Sequence, residues 1–303
     1  MKKLGAIPDG ETGFDRVLAF SIPSRDARGR VVRLGPVLDE VLSAHAYPTA
    51  IRHLLAEALV LTALMGSLLK EEDSQLTMQA QSTGGIVDLL VCDYLGGEIR
   101  GYVRHDAERL AALETFPSLQ ALFGDEGYLA LTFDLAATEQ RYQGIVALEG
   151  ESLTAACQVY FGQSEQVPTL IRTGVRWDGQ QSIAGGLLVQ HLAEGEEGGT
   201  RLNVRMDHPE WEHVSMLAGT IRQEELVDAD LSMEALVWRL FHEEQEVRAE
   251  PLRPLSRGCR CTSERYQQLL GRFSEEDRKE MRGDDGLISI DCAFCSRIFK
   301  IAA

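Results

Sequence analysis

No stretch of this 303-residue chain reads as the run of about 18 apolar residues that a membrane-spanning helix needs. The start, Met1-Lys2-Lys3-Leu4 followed by glycine, proline and aspartate, lacks the apolar core of a secretory leader. Both absences lead us to expect a cytoplasmic protein with no membrane partner. Positive charge is scarce as well: 30 Lys and Arg stand against 47 Asp and Glu, a formal net charge of −17. Binding to a phosphate backbone needs clustered Lys and Arg, so no nucleic-acid partner is expected. H-E-x-x-H, G-x-S-x-G and phosphate-loop motifs are all missing, which leaves metalloprotease, serine-hydrolase and nucleotide chemistry without a carrier. Gly84-Gly85 and Gly185-Gly186 read as turns or bulges, and the seven scattered histidines as surface or core residues. No enzyme activity is expected.

Cysteine is sparse, with six in the chain, but four of them fall in the last 45 residues as Cys259-Arg-Cys261 and Cys292-Ala-Phe-Cys295. Two short pairs separated by about 30 residues can supply a closed, tetrahedral, all-thiolate zinc site. In the C-x-x-C half, Asp291 ends an apolar run, Cys292 to Cys295 form a knuckle, and Arg297 to Ile301 read as a return strand. In the C-x-C half, Cys259 and Cys261 can both reach a metal, and without one they can close a short, strained disulfide ring. Thiolates are both the metal ligands and the oxidisable form, and Arg257, Arg260 and Arg297 lie beside them in sequence. A structural zinc contributes roughly 10–16 kcal/mol to folding its own module, so losing it should unfold the tail. Cys92 and Cys157 lie in apolar patterns and read as core residues.

Around these cysteines the chain reads as an α+β protein. Val17 to Ile22 and Val31 to Leu34 form a hairpin, and Pro48 opens a buried helix through Leu68. Strand patterns follow at Leu76–Gln81, Ile86–Tyr94, Ile99–Arg104, Tyr128–Leu135 and Tyr142–Leu148, with Gly84-Gly85 and Gly96-Gly97 at turns. Ser152 caps a helix to about Tyr160, and strands Thr169–Val175 and Ser182–Leu192 complete a core domain built on mixed sheet. The acidic, glycine-rich Glu194 to Gly199 marks a boundary. Beyond it, helices start near Pro209 and at Ser232, and Trp211, Met216, Leu217, Leu236, Trp238, Leu240 and Phe241 are the candidate packing surface. So few large apolar residues cannot make a core alone, so this segment must borrow its stability from a neighbour. In the tail, Thr262 or Ser263 and then Ser274 start helices before the strand Leu287–Cys292.

These parts resemble the redox-regulated heat shock protein 33 chaperones over nearly the whole chain. The resemblance rests on Tyr142-Gln143-Gly144-Ile145-Val146-Ala147-Leu148-Glu149-Gly150, on Ser164-Glu165-Gln166-Val167-Pro168-Thr169, on Ala184-Gly185-Gly186-Leu187-Leu188, on Val237-Trp238-Arg239-Leu240-Phe241-His242-Glu243-Glu244 and on the two cysteine pairs with Ser263-Glu264-Arg265 after the first. It implies a core domain at 1–193, a metastable helical linker at 194–250 and a redox-switch domain at 251–303. It further implies one zinc ion held by reduced Cys259, Cys261, Cys292 and Cys295, with Cys259–Cys261 and Cys292–Cys295 disulfides on oxidation. The implied activity is that of an ATP-independent holdase: zinc loss unfolds the tail, the linker loses its support, and exposed apolar surface holds unfolding client proteins. Dimerisation of the active form is a further implication.

Two departures from the family pattern stand out: Ser296 follows the knuckle where a glycine is common, and the sequence ends at Ala303 without the terminal helix many members carry. Two other protein classes share parts of this pattern. A zinc deaminase would use His208-Pro209-Glu210 and Cys292 to Cys295, but Asp291 stands where proline belongs and Cys259 and Cys261 would have no role. A constitutive zinc ribbon with a nucleic-acid or protein-binding role draws on the tail, whose ten Lys and Arg against eight Asp and Glu make it the one mildly basic part. A lone Phe294 is a poor platform for stacking bases.

Overall fold

The computed structural model describes residues 13–192 and 207–302. β1 (Arg16–Ile22) and β2 (Ala27–Leu34) form the first hairpin around a 3-10 turn in which Pro23 presets the backbone and Asp26 closes at φ 46°. α1 (Pro36–Leu42) and α2 (Thr49–Gly66) follow, then a meander of β3 (Gln75–Gln81), β4 (Val87–Leu95) and β5 (Glu98–His105). Gly96 and Gly97, at φ 56° and 90°, make the two-residue β4–β5 turn that only a glycine pair enters without strain. The short helices α3 (Ala107–Ala111) and α4 (Leu119–Phe123), capped by the Asp106 and Ser118 side chains, were not foreseen. β6 (Tyr128–Leu135), β7 (Gln140–Ala147), α5 (Leu153–Tyr160) with Ser152 as its cap, β8 (Thr169–Trp177) and β9 (Ser182–His191) complete this part.

α2 lies between two sheets, touching β2, β8 and β9 on one side and β3, β4 and β5 on the other. By length and composition it could cross a membrane, contrary to the sequence expectation, but 72% of it is buried inside the protein. Its leucines and alanines are apolar on nearly every face because both sheets are apolar toward it. One sheet has the order β10-β1-β2-β9-β8 and the other β11-β5-β4-β3-β6-β7. Among the described residues all pairs in these two sheets are antiparallel except β11 with β5, so the mixed-sheet expectation holds through that single pair.

The first sheet is buried on both faces. Val32, Leu34, Ala184 and Leu188 point toward α2, while Leu18, Phe20, Val31, Leu187 and Val189 point the other way, as the period of two requires. This second apolar face is covered by α6 (Pro209–Gly219), α7 (Gln223–Leu226) and α8 (Met233–Phe241). The predicted boundary at 194–199 lies outside the described residues. Trp211, Leu236 and Phe241 are buried in the contact and Leu217 and Leu240 pack at its margin. Met216 and Trp238 do not join it: they are 66% and 55% exposed. On α6 the inward stripe runs Trp211, Val214 and Ala218, and on α8 it runs Met233, Leu236, Val237 and Phe241, leaving those two on the outer faces.

Gly185-Gly186 is not a turn or bulge but lies within β9. A Cβ at Gly185 would meet the Leu226 carbonyl at 2.2 Å, and one at Gly174 across the ladder would meet that of Gln223 at 2.7 Å. The two glycines let the α7 backbone press onto the sheet. Beside them Arg33, 1% exposed, donates from Nε to Leu226 O (3.1 Å) and from Nη1 to Leu231 O (2.6 Å). Burial lowers its pKa. Carbonyls at the end of α7, which have no intrahelical partner, are thus satisfied by a cation from the core domain.

After α8 the chain crosses both sheets as a strap. β10 (Arg248–Pro251) pairs with the edge of β1, buried Leu255 joins the main core, and β11 (Ser256–Arg257) pairs with the edge of β5. The tail then forms α9 (Ser263–Leu270), capped by Thr262, α10 (Glu275–Glu280), capped by Ser274, and the hairpin β12 (Ile288–Asp291) and β13 (Ile298–Ile301).

Candidate metal centre

The four tail cysteines meet where the strap ends. β11 delivers Cys259 and Cys261, and the β12–β13 hairpin delivers Cys292 and Cys295. Their Sγ atoms all lie within 4.8 Å of one another, with Cys259–Cys261 at 3.2 Å, Cys259–Cys292 at 3.5 Å and Cys261–Cys295 at 3.4 Å. Four sulfurs about 2.3 Å from one ion would be about 3.8 Å apart, so the set fits a tetrahedral thiolate site. Around the knuckle, Cys292 N donates to Arg297 O (3.0 Å), and Cys295 N (3.2 Å) and Ser296 N (2.8 Å) both donate to Cys292 O. Ser296 sits at φ 54°, the left-handed conformation that explains the preference for glycine at this place.

The thiols do not ionise alike. Burial raises the Cys292 pKa, but the Phe294 N–H, the Tyr266 hydroxyl and the Cys295 N–H outweigh it and bring the thiol down to about 6. Burial, reinforced by the neighbouring thiols, pushes Cys261 up, and burial also raises Cys295. One thiolate therefore forms readily and opposes the next, so filling the site requires a cation that displaces the remaining protons. The Tyr266 ring lies 5.0 Å from that of Phe299.

The module is seated on the second sheet. The Phe294 ring stands edge-on to Tyr102 at 4.9 Å, and the Arg100 guanidinium lies 4.0 Å over its face. Arg100 is held from below by Asp93 at 2.5 Å. Arg260 donates to Gln75 Oε1 (2.7 Å), so that guanidinium serves docking rather than the thiols. On the other side His45 Nε2 contacts Ala293 O at 2.8 Å, and Ser296 Oγ donates to Ala44 O at 2.7 Å. His45, Arg100 and Tyr102 carried no signal in the sequence, because their partner lies some 190 to 250 positions away along the chain. Cys92 and Cys157 are fully buried and far from this arrangement in character: burial raises both thiols.

Fold and site together define an α+β body carrying a docked module whose four thiols could hold a metal ion. Residues 15–302 match the Hsp33 protein family. The 33 kDa chaperonin of Caulobacter vibrioides is 41% identical over 302 residues, covering 97% of each chain. That of Azotobacter vinelandii is 38% identical over 294 residues, covering 96% of this chain and 92% of its own. The crystal structure of the 33 kDa chaperonin (heat shock protein 33 homolog) of Thermotoga maritima aligns at a TM-score of 0.73 and 21% identity, across 95% of this chain and 94% of that one, and so shares its fold. The chain belongs to the Hsp33 family of chaperones.

Proposed function

We propose that this protein is a redox-switched, ATP-independent holdase of the cytoplasm, divided into a core domain (1–193), a conditional linker (194–250) and a zinc-binding switch (251–303). The observation that carries the reading is the meeting of Cys259, Cys261, Cys292 and Cys295 at the end of a strap that also holds the linker in place. A zinc ion bound there when the thiols are reduced would tie the C-x-C segment to the hairpin. The tail's own apolar cluster, Leu270, Ile288 and Ile301, is small. Closing Cys259–Cys261 and Cys292–Cys295 disulfides removes four electrons and uses two equivalents of peroxide, each reduced to water. Disulfide sulfurs are poor ligands, so oxidation dissolves the metal site.

The consequence passes along the chain. Without its fourfold anchor the tail unfolds, the short β11 pair and the Phe294 contact are lost, and β10 is left to hold alone. α6 to α8 then release the apolar face made by Leu18, Phe20, Val31, Leu187 and Val189. That face, with the linker's own apolar side, holds unfolding clients; no reaction is catalysed, and the freed surface also supports pairing of two oxidised chains. The test is light scattering from a thermally unfolding client protein. Suppression by the peroxide-treated protein and none by the reduced, zinc-loaded form is expected; suppression by neither, or equally by both, contradicts the reading.

A further inference from the structure

A cleft of about 290 Å³ opens beside the first turn of α2, remote in sequence from both the cysteines and the linker, and Arg52, His53, Phe116, Arg176, Trp177 and Ser182 stand on its walls. Arg52 lies with its guanidinium 4.3 Å from the Trp177 ring centre. Its Nη2 reaches Ser182 Oγ at 3.3 Å, but its Nε is sealed from solvent with no hydrogen-bond partner. Arg176, exposed on the same rim, has neither an ion pair nor a hydrogen bond among the described residues. Two guanidiniums on one cleft, neither held in a salt bridge among the described residues, are unexpected in a chain of net charge −17.

The neighbouring carboxylates are already engaged. Asp178 Oδ1 accepts from the Gln180 and Gln181 N–H groups at 2.9 and 2.8 Å. Glu57 Oε1 accepts from Thr154 Oγ1 at 2.7 Å and from its N–H at 3.0 Å, and Asp39 Oδ1 accepts from Ser182 N at 3.0 Å. A buried donor without an acceptor is costly, and a planar guanidinium is best completed by an oxyanion. The rest of the wall is aromatic and open: Phe116 is 64% exposed and Trp177 39%. A small pocket with an apolar wall and a few convergent polar groups is the usual form of a ligand site.

We propose that this cleft binds a small, flat aromatic carboxylate, its ring between Phe116 and Trp177 and its oxygens on Arg52 and Arg176. The reduced, metal-loaded full chain would be titrated with indole-3-acetate, and in parallel with indole-3-acetamide and with inorganic phosphate, following the Trp177 indole N–H signal and the heat of binding. Saturable binding of the carboxylate is expected, with the amide roughly tenfold weaker or more, as loss of a charge-assisted hydrogen bond requires. Arg52→Gln and Arg176→Gln should each weaken binding by roughly tenfold; the second changes an exposed rim residue and leaves folding intact. An unresponsive Trp177, equal binding of the amide, phosphate binding as tight as the carboxylate, or full binding by both variants would overturn the proposal.

Discussion

Around α2 the two sheets close on apolar packing: Ile51, Leu55, Leu59, Met78, Leu90, Leu131 and Leu188 are among dozens of buried side chains in one continuous cluster. The C-terminal module buries only Leu270, Ile288 and Ile301 in its own cluster, with Tyr266, Ile290 and Phe299 against them, and gathers four thiols beside it. The first kind of stability rests on packing with its two thiols, Cys92 and Cys157, fully buried, whereas the second gathers four thiols at one point near the surface. The linker stands between the two. Its apolar stripe is ample, yet it is pinned by a desolvated arginine and by strand glycines that leave no margin for displacement.

Removing one of the four thiols should have the largest effect. Cys292→Ser should abolish stable metal binding and strip amide protection from residues 263–301 while β3 to β6 keep theirs, a loss on the scale of the roughly 10–16 kcal/mol a structural zinc supplies. Metal analysis with hydrogen exchange checks it, and unchanged metal content would contradict it. Next is Arg33→Met, which leaves the Leu226 and Leu231 carbonyls buried without donors and should destabilise linker docking by about 2–4 kcal/mol. Client binding by the reduced protein is the expected symptom. Gly185→Ala should act in the same direction by about 1–3 kcal/mol, since its Cβ cannot share space with the Leu226 carbonyl.

Acid gives a milder handle on the same contact. His191 is buried beside His208 at a 4.8 Å ring separation, and its Nδ1 has no partner. Burial first and then His208 hold its pKa below the ordinary value. The folded state therefore binds fewer protons than the unfolded one, and this contribution, complete above about pH 6.5, is lost as pH falls below it. Exchange protection of α6 should fall between pH 7 and 5 with the core unchanged; a flat profile would refute this. The smallest effect belongs to Ser296→Ala, which keeps the left-handed strain but loses the bond to Ala44 O. About 1 kcal/mol of docking should go with it, seen as faster tail release under peroxide.

Where local chemistry decided the outcome, the sequence was enough to read it. The β strands, the Ser152 and Ser232 caps, and the two cysteine pairs follow from period, capping and ligand spacing, which act over a few residues. What escaped depends on distant partners. Arg33 occupies the linker-facing side of β2 with Val31, and only the arrival of the Leu226 and Leu231 carbonyls explains a cation there. β10 and β11 are too short and polar to show a strand pattern, and exist because edges of β1 and β5 offer them unpaired backbone. By its size Trp238 reads as a packing residue, whereas helix phase turns it outward, where it stacks on His242 at 4.7 Å. Ser296 was legible as an exception, but its contact with Ala44 was not.

If thiol chemistry governs the linker and spares the core, amide hydrogen exchange read along the chain will separate the two regions. In the reduced, zinc-loaded protein, α6 to α8, the strap and the tail should be protected together with β3 to β7. After peroxide treatment, protection should vanish from 209–301 and persist in β3 to β7. Equal protection of both regions in both states, or loss from both at once, would contradict the account.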